Sequence, residues 1–403
     1  MISRRIEVWH RLQSDQKYVG EMICQIDDLG KASGVFRYNP EFLASPDAFV
    51  LDPISLDPST LPQTDSLFRI GTPGIFRVFE DSLPDDWGRR LLIRKHKTPR
   101  ADQNLPHLLL LIGSSGLGAL SYVEHGKPVR SAPEKSTIYL SELVNAAEAF
   151  ERGDIPESEL NLLFGASSSP GGARPKALVY DECAGIYYLA KFPSIKDNVN
   201  VVRIEAATMT LAEASGLTVP KIRLIDSGGK DILLVKRFDV IDDLSRRHMI
   251  SLQTLLKAEG YYQSRYYEIM KVVRKYSSDP AVDSDLLFRQ MVLNAVIGNT
   301  DDHLKNFWML FDHTEGWRLS PSFDLVPDIR RSGEHVLFFG DGPYNPGRQK
   351  LVKLGRSWGI SNAAAVVDQV YEAVSCWREV YLSFGVPQID IDTFKEIDTN
   401  LTS

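Results

Sequence analysis

The segment 298–306, with the sequence GNTDDHLKN, concentrates side chains that are suited to acid–base and metal chemistry. The carboxylate of Asp301 can accept a proton from an attacking hydroxyl, and the amide oxygen of Asn306 is a suitable ligand for a hard cation. The segment follows a strongly apolar predicted helix and precedes a predicted strand, so these groups are held on a rigid connection. When the segment is considered alone, an exposed turn rich in Asp and Asn is the competing interpretation.

A further carboxylate follows this segment at the end of the next predicted strand. It belongs to Asp324, which lies eighteen residues after Asn306 and directly after Phe323. In protein kinases, the catalytic Asp and the magnesium-binding Asn have the spacing of Asp301 and Asn306, and a strand-end Asp supplies the second magnesium ligand. The residues after Asp324 are Leu-Val instead of the Phe-Gly of that kinase motif. A strand-terminating Asp that caps the next turn is the alternative.

A lysine inside an apolar strand offers another element of the same chemistry. The segment 187–192, YYLAKF, places Lys191 where a lysine needs an anionic partner unless it faces solvent at a sheet edge. In kinases such a lysine holds the phosphates of ATP and pairs with a helix glutamate, for which Glu205 is the candidate. A later strand ends in Lys236, Arg237 and Phe238, whose backbone can bind an adenine edge as a hinge. A simple exit from strand to loop is the alternative.

A stretch of small residues, SSSPGGARPK at 167–176, precedes the first of these strands. Successive small residues expose backbone N–H groups that can surround a phosphate, and Arg174 and Lys176 add positive charge. A flexible linker is the alternative for this stretch. The glycine-rich loop, strand lysine, helix glutamate, hinge, Asp-x4-Asn loop and strand-end Asp occur in the order expected of a bilobal kinase. The sequence therefore predicts phosphoryl transfer from ATP with the help of Mg²⁺.

A β-rich middle region and a helical C-terminal region must position these groups. Before the glycine-rich stretch we predict an antiparallel meander of strands at 5–11, 17–25 and 33–38, and helices at 82–96 (with Ser82 as cap) and 141–152. The middle region is predicted to hold strands at 177–180, 185–192, 221–225 and 231–238, and a helix at 202–215. The C-terminal region is predicted to hold helices at 251–259, 264–276, 284–298 and 362–384, and strands at 307–311 and 317–320. This succession predicts two lobes.

Composition restricts the class of protein. The chain has 403 residues and a formal net charge of -7, with 43% hydrophobic and 25% charged residues, which is typical of a soluble globular protein. The acidic balance argues against a protein that coats nucleic acid by itself. The widely separated Cys24, Cys183 and Cys376 argue against a disulfide scaffold and a cysteine zinc site. With neither a signal peptide nor a long apolar run in the sequence, we expect a cytoplasmic protein.

The chain resembles the HipA family, the serine/threonine-kinase toxins of bacterial type II toxin–antitoxin modules. The motifs that carry the resemblance span nearly the whole chain, and the TDDHLKN block is highly specific. They are FEDSLPDDWGRR at 79–90, SPGGARPK at 169–176, AKFP at 190–193, KRFD at 236–239, GNTDDHLKNF at 298–307 and LSPSFD at 319–324.

The resemblance implies an α+β, bilobal protein-kinase-like (HipA-like) fold. Its β-rich N-terminal lobe would carry an extra N-terminal subdomain, and its C-terminal lobe would be mostly helical. The implied division places the HipA-type subdomain at 1–127, the kinase N-lobe with phosphate loop and hinge at 128–241, and the helical C-lobe with catalytic loop and metal site at 242–403.

The resemblance also implies roles for individual residues. Asp301 would be the catalytic base, and Asn306 and Asp324 would bind magnesium. Glu205 would form a structural ion pair with Lys191. The residues implied to bind ATP are Gly171, Gly172, Ala173, Arg174, Lys176, Lys191, Lys236, Arg237, Phe238, His303, Lys305, Asn306, Phe323 and Asp324.

The implied function is an ATP-dependent serine/threonine protein kinase that phosphorylates a cellular protein of the aminoacyl-tRNA synthetase kind and so arrests growth. A serine at the start of the phosphate loop would be autophosphorylated, which inactivates the kinase. Ser169 occupies that place, with Ser167 and Ser168 as alternatives. The implied partner is a HipB-like helix-turn-helix antitoxin, which neutralises the toxin and through which, in the main, it contacts operator DNA and co-represses its operon. Whether it also contacts the DNA directly stays open. No membrane partner is implied.

Two other functions stay open from the sequence. One is a kinase of a small molecule or a lipid, because a kinase-like fold serves many substrates. The other is a non-catalytic ATP-binding co-repressor, against which the presence of Asp301, Asn306 and Lys191 argues. The sequence does not specify the phosphorylated target, the antitoxin, the operator or the oligomeric state.

Overall fold

Strands form where β-branched and aromatic residues are concentrated. The computed structural model describes residues 2–12, 15–61, 66–70, 74–129, 140–165, 174–241, 245–260, 264–329 and 332–403. Its strands are β1 (Ile2–Leu12), β2 (Asp15–Ile26), β3 (Ala32–Tyr38), β4 (Phe68–Arg69), β5 (Leu120–Glu124), β6 (Lys176–Asp181), β7 (Ile186–Lys191), β8 (Ile222–Ser227), β9 (Lys230–Lys236), β10 (His248–Ser251), β11 (Trp308–Asp312) and β12 (Gly316–Leu319).

Many helices begin at a side chain that accepts a hydrogen bond from the first turn, as Asn104, Asn200, Ser251 and Asp279 do. The α-helices are α1 (Pro40–Leu43), α2 (Arg77–Glu80), α3 (Asp86–Lys95), α4 (Leu105–Ile112), α5 (Leu140–Arg152), α6 (Glu157–Gly165), α7 (Val201–Ala214), α8 (Leu252–Leu255), α9 (Tyr266–Tyr276), α10 (Pro280–Ile297), α11 (Arg348–Ser357), α12 (Ala363–Ser375), α13 (Trp377–Ser383), α14 (Gln388–Ile391) and α15 (Glu396–Thr402). Short 3₁₀ helices are Pro58–Thr60, Arg100–Asp102, Leu304–Asn306 and Asp392–Phe394. Among the described residues, no helix has the length and apolar character needed to cross a bilayer.

The chain divides into two units, of which the first comprises Met1–Ile195 and Asp239–Ile250. Its largest sheet is antiparallel, with the strand order β4-β3-β2-β1-β5. Apolar residues alternate along the central strands, so that Ile6 of β1 lies opposite Met22 of β2, and both are fully buried. The sheet buries this face against the helices that follow it, where the ring of Phe36 packs on that of Phe79 at 5.1 Å.

The second unit comprises Lys196–Phe238 and Ser251–Ser403. Near the start of α7, Arg203 donates from Nε and Nη2 to the two oxygens of Asp231 on β9, at 2.7 and 2.8 Å, and from Nη1 to the carbonyls of Phe384 and Gly385. Burial opposes ionisation of Asp231, but hydrogen bonds from Arg203 and Asn200 outweigh it and lower the pKa of this carboxyl. These bonds fix α7 on the β8–β9 hairpin.

A buried carboxylate also fixes the hairpin β11–β12 to α10 within the second unit. Asp283, near the start of α10, accepts from the Arg318 guanidinium at 3.0 Å and from the Leu319 N–H at 2.9 Å. The Ser277 hydroxyl donates to the same carboxylate at 2.6 Å. Hydrogen bonding to Asp283 raises the pKa of Arg318 above its usual range. The strand that leads toward Asp324 is therefore anchored before it ends.

Each predicted strand is found, but four predicted helices differ from the structure, three of them by four residues at one end. The helix predicted at 284–298 begins at Pro280, because Asp279 caps it. The helix predicted at 82–96 begins at Asp86, because the Ser82 hydroxyl bonds that of Tyr122 at 2.6 Å in the core and cannot cap a helix. The helix predicted at 251–259 is only the short α8, since the chain turns at Lys257, whose φ is +51°. The helix predicted at 362–384 is interrupted at Cys376, between α12 and α13.

Candidate active site

The loop after α10 brings Asp301 and Asn306 together. Helix α10 ends at Gly298, whose φ of +69° lies in the left-handed region that favours glycine. The chain then enters the 3₁₀ turn Leu304–Asn306, where the side-chain nitrogen Nδ2 of Asn306 donates to the carbonyl oxygen of Asp301 at 2.8 Å. Asp301 is exposed whereas Asn306 is buried. The loop therefore presents a carboxylate at the surface and fixes the amide beneath it.

His303 and Lys305, which are predicted to line the nucleotide site, lie in the same loop and are half-buried. The His303 carbonyl accepts from the N–H of Asn306 at 2.9 Å, and the Lys305 carbonyl accepts from the indole nitrogen of Trp308 at 2.6 Å. These bonds tie the backbone of the turn to the start of β11. The roles of the two side chains stay predictions.

Asp302, the neighbour of Asp301, is fully buried and has a dense set of donors. Its Oδ2 accepts from the Tyr266 hydroxyl at 2.6 Å and lies 3.2 Å from Nδ1 of His335. Its Oδ1 accepts from the backbone N–H groups of Val336 and Leu337, at 3.0 and 3.2 Å. The loop is thereby attached to α9 and to a segment that follows Asp324 in the chain.

Hydrogen bonds also connect the start of α9 to the end of α10. Tyr266, the first residue of α9, accepts from Nδ2 of Asn294 at 3.0 Å, and Asn294 accepts from Nδ2 of Asn299 at 3.1 Å. Burial, followed by the charge of Asp302, raises the pKa of Tyr266 well above its usual value. The phenol therefore stays protonated and acts as a donor to Asp302.

Asp324 lies on a segment that is fixed on both sides. Before it, the Ser322 hydroxyl donates to Oε1 of Gln290 at 2.9 Å. After it, the N–H of Asp328 donates to the Gly298 carbonyl at 2.8 Å, which joins this segment to the start of the loop 298–306. Asp324 itself has a φ of +56°, a conformation that Asp and Asn adopt more readily than most side chains.

The residue before Asp324 contacts the predicted hinge. The rings of Phe323 and Phe238 pack with their centroids 5.5 Å apart. Lys236 is the last residue of β9 and is half-buried, and Arg237 is buried. The second unit thus brings the end of the predicted hinge beside the segment that carries Asp324. That these residues bind adenine stays a prediction.

The first unit carries the predicted phosphate-binding cations. Lys176 begins β6 and Lys191 ends β7, and the hairpin register places them directly opposite each other. Directly opposite residues of antiparallel strands project from the same face. Both lysines are buried, with 3% and 9% exposure, and Arg174 nearby in sequence is half-buried. The hairpin therefore places two positive side chains on one face, and their role in binding phosphate stays a prediction.

Glu205 and the residues of the predicted phosphate loop complete the set of predicted site residues. Glu205 is buried on α7 in the second unit, whereas Lys191 belongs to the first unit. Their ion pair stays a prediction. The phosphate-loop and autophosphorylation residues that lie outside the described residues are Ser167, Ser168, Ser169, Gly171, Gly172 and Ala173.

The loop 298–306 and Asp324 carry oxygen groups of the kind that would bind a cation together with a nucleotide. Within the described ranges, no group of three or more His, Cys, Asp or Glu side chains is placed to hold a metal ion. Magnesium in phosphoryl-transfer sites takes only one or two protein ligands and completes its shell with phosphates and water. Because Nδ2 of Asn306 is bound to the Asp301 carbonyl, Oδ1 of Asn306 is the atom that would act as a neutral ligand, and Asp324 would add a charged one.

Models of known protein families match both the N-terminal and the C-terminal part of the chain. The model of the HipA-like C-terminal domain matches residues 168–377, more than half of the chain. The chain belongs to the HipA family. The model of the HipA N-terminal domain matches residues 15–123 of this HipA-family chain. The resemblance indicated by the sequence motifs is confirmed.

Individual relatives of this HipA-family chain match it over shorter stretches. "Putative kinase Y4mE" of Sinorhizobium fredii is 30% identical over 151 residues, which cover 35% of this chain and 34% of that protein. "Putative kinase Y4dM" of the same organism is 27% identical over 162 residues, which cover 37% of this chain and 39% of that protein. The chain therefore spans little more than a third of the length of these curated relatives.

A solved structure matches nearly the whole chain. It is HipA in the complex described as "Shewanella oneidensis MR-1 Toxin Antitoxin System HipA, HipB and its operator DNA complex". The TM-score is 0.69 at 17% sequence identity, and the match covers 98% of this chain and 95% of that chain. The predicted α+β, protein-kinase-like fold of the HipA kind is confirmed.

Sequence reasoning missed the residues that hold the loop 298–306 of this HipA-family protein, which is predicted to be catalytic. Asp302 and its partners Tyr266 and His335 are each more than thirty positions apart in the sequence. A second carboxylate beside Asp301, and a tyrosine at the start of an amphipathic helix, are the signals the sequence offers for them. Neither signal identifies the partner.

Proposed function

We propose that this HipA-family protein is an ATP-dependent serine/threonine protein kinase that acts as the toxin of a toxin–antitoxin module. The observation that carries the proposal is the 2.8 Å hydrogen bond from Nδ2 of Asn306 to the Asp301 carbonyl. It supports a catalytic loop in which an exposed carboxylate meets the acceptor hydroxyl while the adjacent amide oxygen is held for a cation. The opposed, buried Lys176 and Lys191 support the binding of polyphosphate.

Each of three parts of the chain is assigned its own function. We assign residues 1–127 to the HipA-type N-terminal subdomain, residues 128–241 to the lobe that holds the phosphates and adenine, and residues 242–403 to the lobe that holds the catalytic loop. The family-model matches at 15–123 and 168–377 support the first boundary.

In the proposed reaction, Asp301 orients the serine or threonine hydroxyl and accepts its proton as the hydroxyl oxygen bonds to the γ-phosphorus and the bond to the ADP oxygen breaks. Lys176 and Lys191 hold the phosphates and offset their charge. Asn306 and Asp324 are the residues that would hold Mg²⁺, which when bound neutralises charge on the transferring group. Positioning and electrostatics supply most of the rate.

The remaining ATP contacts are assigned to the hinge and to the loops. Adenine is bound by the segment that ends β9 and by the residue before Asp324, and the phosphates are also bound by the glycine-rich loop and by the catalytic loop. These residues are Lys236, Arg237, Phe238, Phe323, Gly171, Gly172, Ala173, Arg174, His303 and Lys305. Glu205 orients Lys191 as its ion-pair partner.

The proposed toxin acts in the cytoplasm on a cellular protein of the aminoacyl-tRNA synthetase kind. Autophosphorylation of Ser169, with Ser167 and Ser168 as alternative acceptors, inactivates it. A HipB-like antitoxin neutralises it and carries it to operator DNA. The presence of HipB and operator DNA in the complex of the Shewanella HipA supports these two partners.

The variant Asp301→Asn tests the catalytic assignment. The full chain is incubated with γ-phosphate-labelled ATP and Mg²⁺ in a bacterial lysate, and label on the chain and on other proteins is measured. We expect the variant to transfer about 10²–10⁴-fold less phosphate, because it lacks the proton acceptor. Its affinity for ATP should stay within about twofold of the wild type, because the variant removes an interaction with the acceptor hydroxyl and none that binds ATP in the ground state.

The matched control is Glu379→Gln, which neutralises an exposed carboxylate on α13 of the same unit and should transfer phosphate as the wild type does. Undiminished transfer by Asp301→Asn would contradict the role of that residue. A wild-type chain that labels neither itself nor any protein would contradict the kinase. Mass spectrometry of the labelled chain would separate Ser167, Ser168 and Ser169 as acceptors.

A further inference from the structure

Asp301 and Asp302 are adjacent in the chain but lie in opposite environments. Asp301 is exposed, whereas Asp302 is fully buried and surrounded by donors from α9 and the segment 335–337. The peptide unit between them is planar and rigid, so fixing one residue restricts the other. We propose that Asp302 is a positioning residue, which fixes the Asp301 carboxylate by fastening the catalytic loop on both sides. This inference rests on the proposed kinase function.

The fastening includes the residues on either side of Asp301. The N–H of Val336 lies 3.0 Å from Oδ1 of Asp302 and 3.1 Å from the carbonyl of Thr300, so a single donor contacts the residue before Asp301 and the residue after it. The Asn306 amide holds the Asp301 carbonyl from the opposite end of the loop. The backbone of Asp301 is therefore restrained in three places.

The surroundings of Asp302 suit positioning and not proton transfer. Its two oxygens face four donors, from Tyr266, His335, Val336 and Leu337, which together fill the acceptor capacity of a carboxylate. Its side chain has no exposed surface on which a substrate hydroxyl could lie. A buried carboxylate is stable only when donors satisfy its oxygens in this way. The hydrogen bonds that keep Asp302 in place therefore also keep the loop in place.

The geometry also links two distant parts of the second unit to the loop. The Tyr266 hydroxyl also accepts a hydrogen bond from Asn294, near the end of α10. The ring of His335 packs on that of Phe339, with the centroids 4.8 Å apart. Loss of the Tyr266 hydroxyl would thus release one side of Asp302 and leave the 335–337 side in place.

The variant Tyr266→Phe tests the proposal with the smallest change. Its matched control is Tyr381→Phe, which removes another fully buried tyrosine hydroxyl of the same unit, bonded to Thr208 at 2.8 Å. Thr208 keeps its bond to the Ile204 carbonyl, so α7 is not released. We expect Tyr266→Phe to lower kcat for phosphoryl transfer about tenfold with KM for ATP within about twofold. Tyr381→Phe should change neither by more than about twofold.

A second pair of variants separates positioning from folding. Asp302→Asn keeps an oxygen that can accept from Val336 and Leu337, whereas Asp302→Ala keeps none. We expect kcat to fall in the order wild type, Asp302→Asn, Asp302→Ala, with ATP affinity retained in every variant that folds. Equal kcat values for Asp302→Asn and Asp302→Ala would overturn the proposal.

Hydrogen exchange of the full chain supplies a readout that does not depend on activity. Peptides that cover 299–306 should exchange faster in Tyr266→Phe than in Tyr381→Phe, while peptides from α12 exchange alike in both. Unchanged exchange of the loop in Tyr266→Phe would overturn the positioning role even if transfer is active. Faster exchange of the loop in Tyr266→Phe than in Tyr381→Phe, together with a wild-type chain that shows no transfer activity, would support the positioning role of Asp302 and contradict the kinase instead.

Discussion

Lys176 and Lys191 lie directly opposite each other on β6 and β7, and both side chains are buried. Like charges directly opposite each other on a strand pair repel, so this end of the hairpin concentrates positive charge. A polyanion bound there would gain two charged contacts. We therefore expect the phosphates of ATP to bind at this end of the hairpin, in a chain whose net charge is -7.

We expect Lys191→Met and Lys176→Met each to raise the Kd for MgATP about tenfold or more. Methionine keeps most of the side-chain volume and removes a charge-assisted contact that contributes about 1.5–3 kcal/mol. Calorimetric titration of the full chain measures the effect, and Lys31→Met, at an exposed lysine of the same unit, is the control. Because both lysines would face the same phosphates, the double variant should lose less than the product of the single losses. A loss equal to that product would indicate that the lysines act on different ligands.

We expect Asp324→Asn to raise the Mg²⁺ concentration needed for half-maximal transfer about tenfold or more, because a neutral amide replaces a charged ligand of a hard cation. Asn adopts the φ of +56° found at this position, so thermal unfolding should shift by no more than about 2 °C. Transfer is measured across a Mg²⁺ titration, with Asp341→Asn, at an exposed aspartate of the same unit, as control. An unchanged Mg²⁺ requirement in Asp324→Asn would remove this residue from the metal site.

We expect the first unit to lose stability as the pH falls from about 6.5 to 4, because burial lowers the pKa of His248 from 6.5 to about 4. In that range the unfolded chain binds a proton that the folded one does not, so protonation favours unfolding. Between pH 7.5 and 5 the contribution of His248 is about 2 kcal/mol. Its Nε2 lies 2.8 Å from the Leu51 carbonyl, which the amide of His248→Gln can also reach.

Urea unfolding of the full chain at several pH values measures this contribution. His248→Gln should show a flatter pH dependence than the wild type, while His96→Gln, at an exposed histidine of the same unit, keeps the wild-type slope. Identical slopes for His248→Gln and the wild type would show that another group titrates.

Much of the fold follows from local signals. Short strand-like segments separated by turn-rich stretches identify the meander β1–β3, and the long apolar run before Gly298 identifies α10. The bounds of a helix are less predictable where a polar side chain can either cap the helix or form a hydrogen bond in the core. Ser82 has the residue type of a cap, yet its hydroxyl is taken by Tyr122, forty positions away, and the helix begins four residues later.

In the candidate site too, features set by neighbouring residues are predictable from the sequence, and contacts between residues far apart in the chain are not. The spacing of Asp301 and Asn306 is visible in the sequence, and so is the lysine in β7. The donors of Asp302 are not visible, because they come from residues 36 positions before it and 33 to 35 positions after it. The facing of Lys176 and Lys191 likewise depends on the hairpin register, which the turn determines.

The hydrogen bonds that Arg203 makes to Asp231 and to the carbonyls of Phe384 and Gly385 restrict the size of the side chain at position 385. This glycine has a φ of +70°, and a Cβ atom built on it would collide with the guanidinium that binds Asp231 and the carbonyls of Phe384 and Gly385. Any larger side chain there would displace Arg203 and loosen α7, the helix that carries Glu205. A residue in the turn after α13 must therefore be small if α7 is to hold Glu205, the glutamate that is assigned to the nucleotide site.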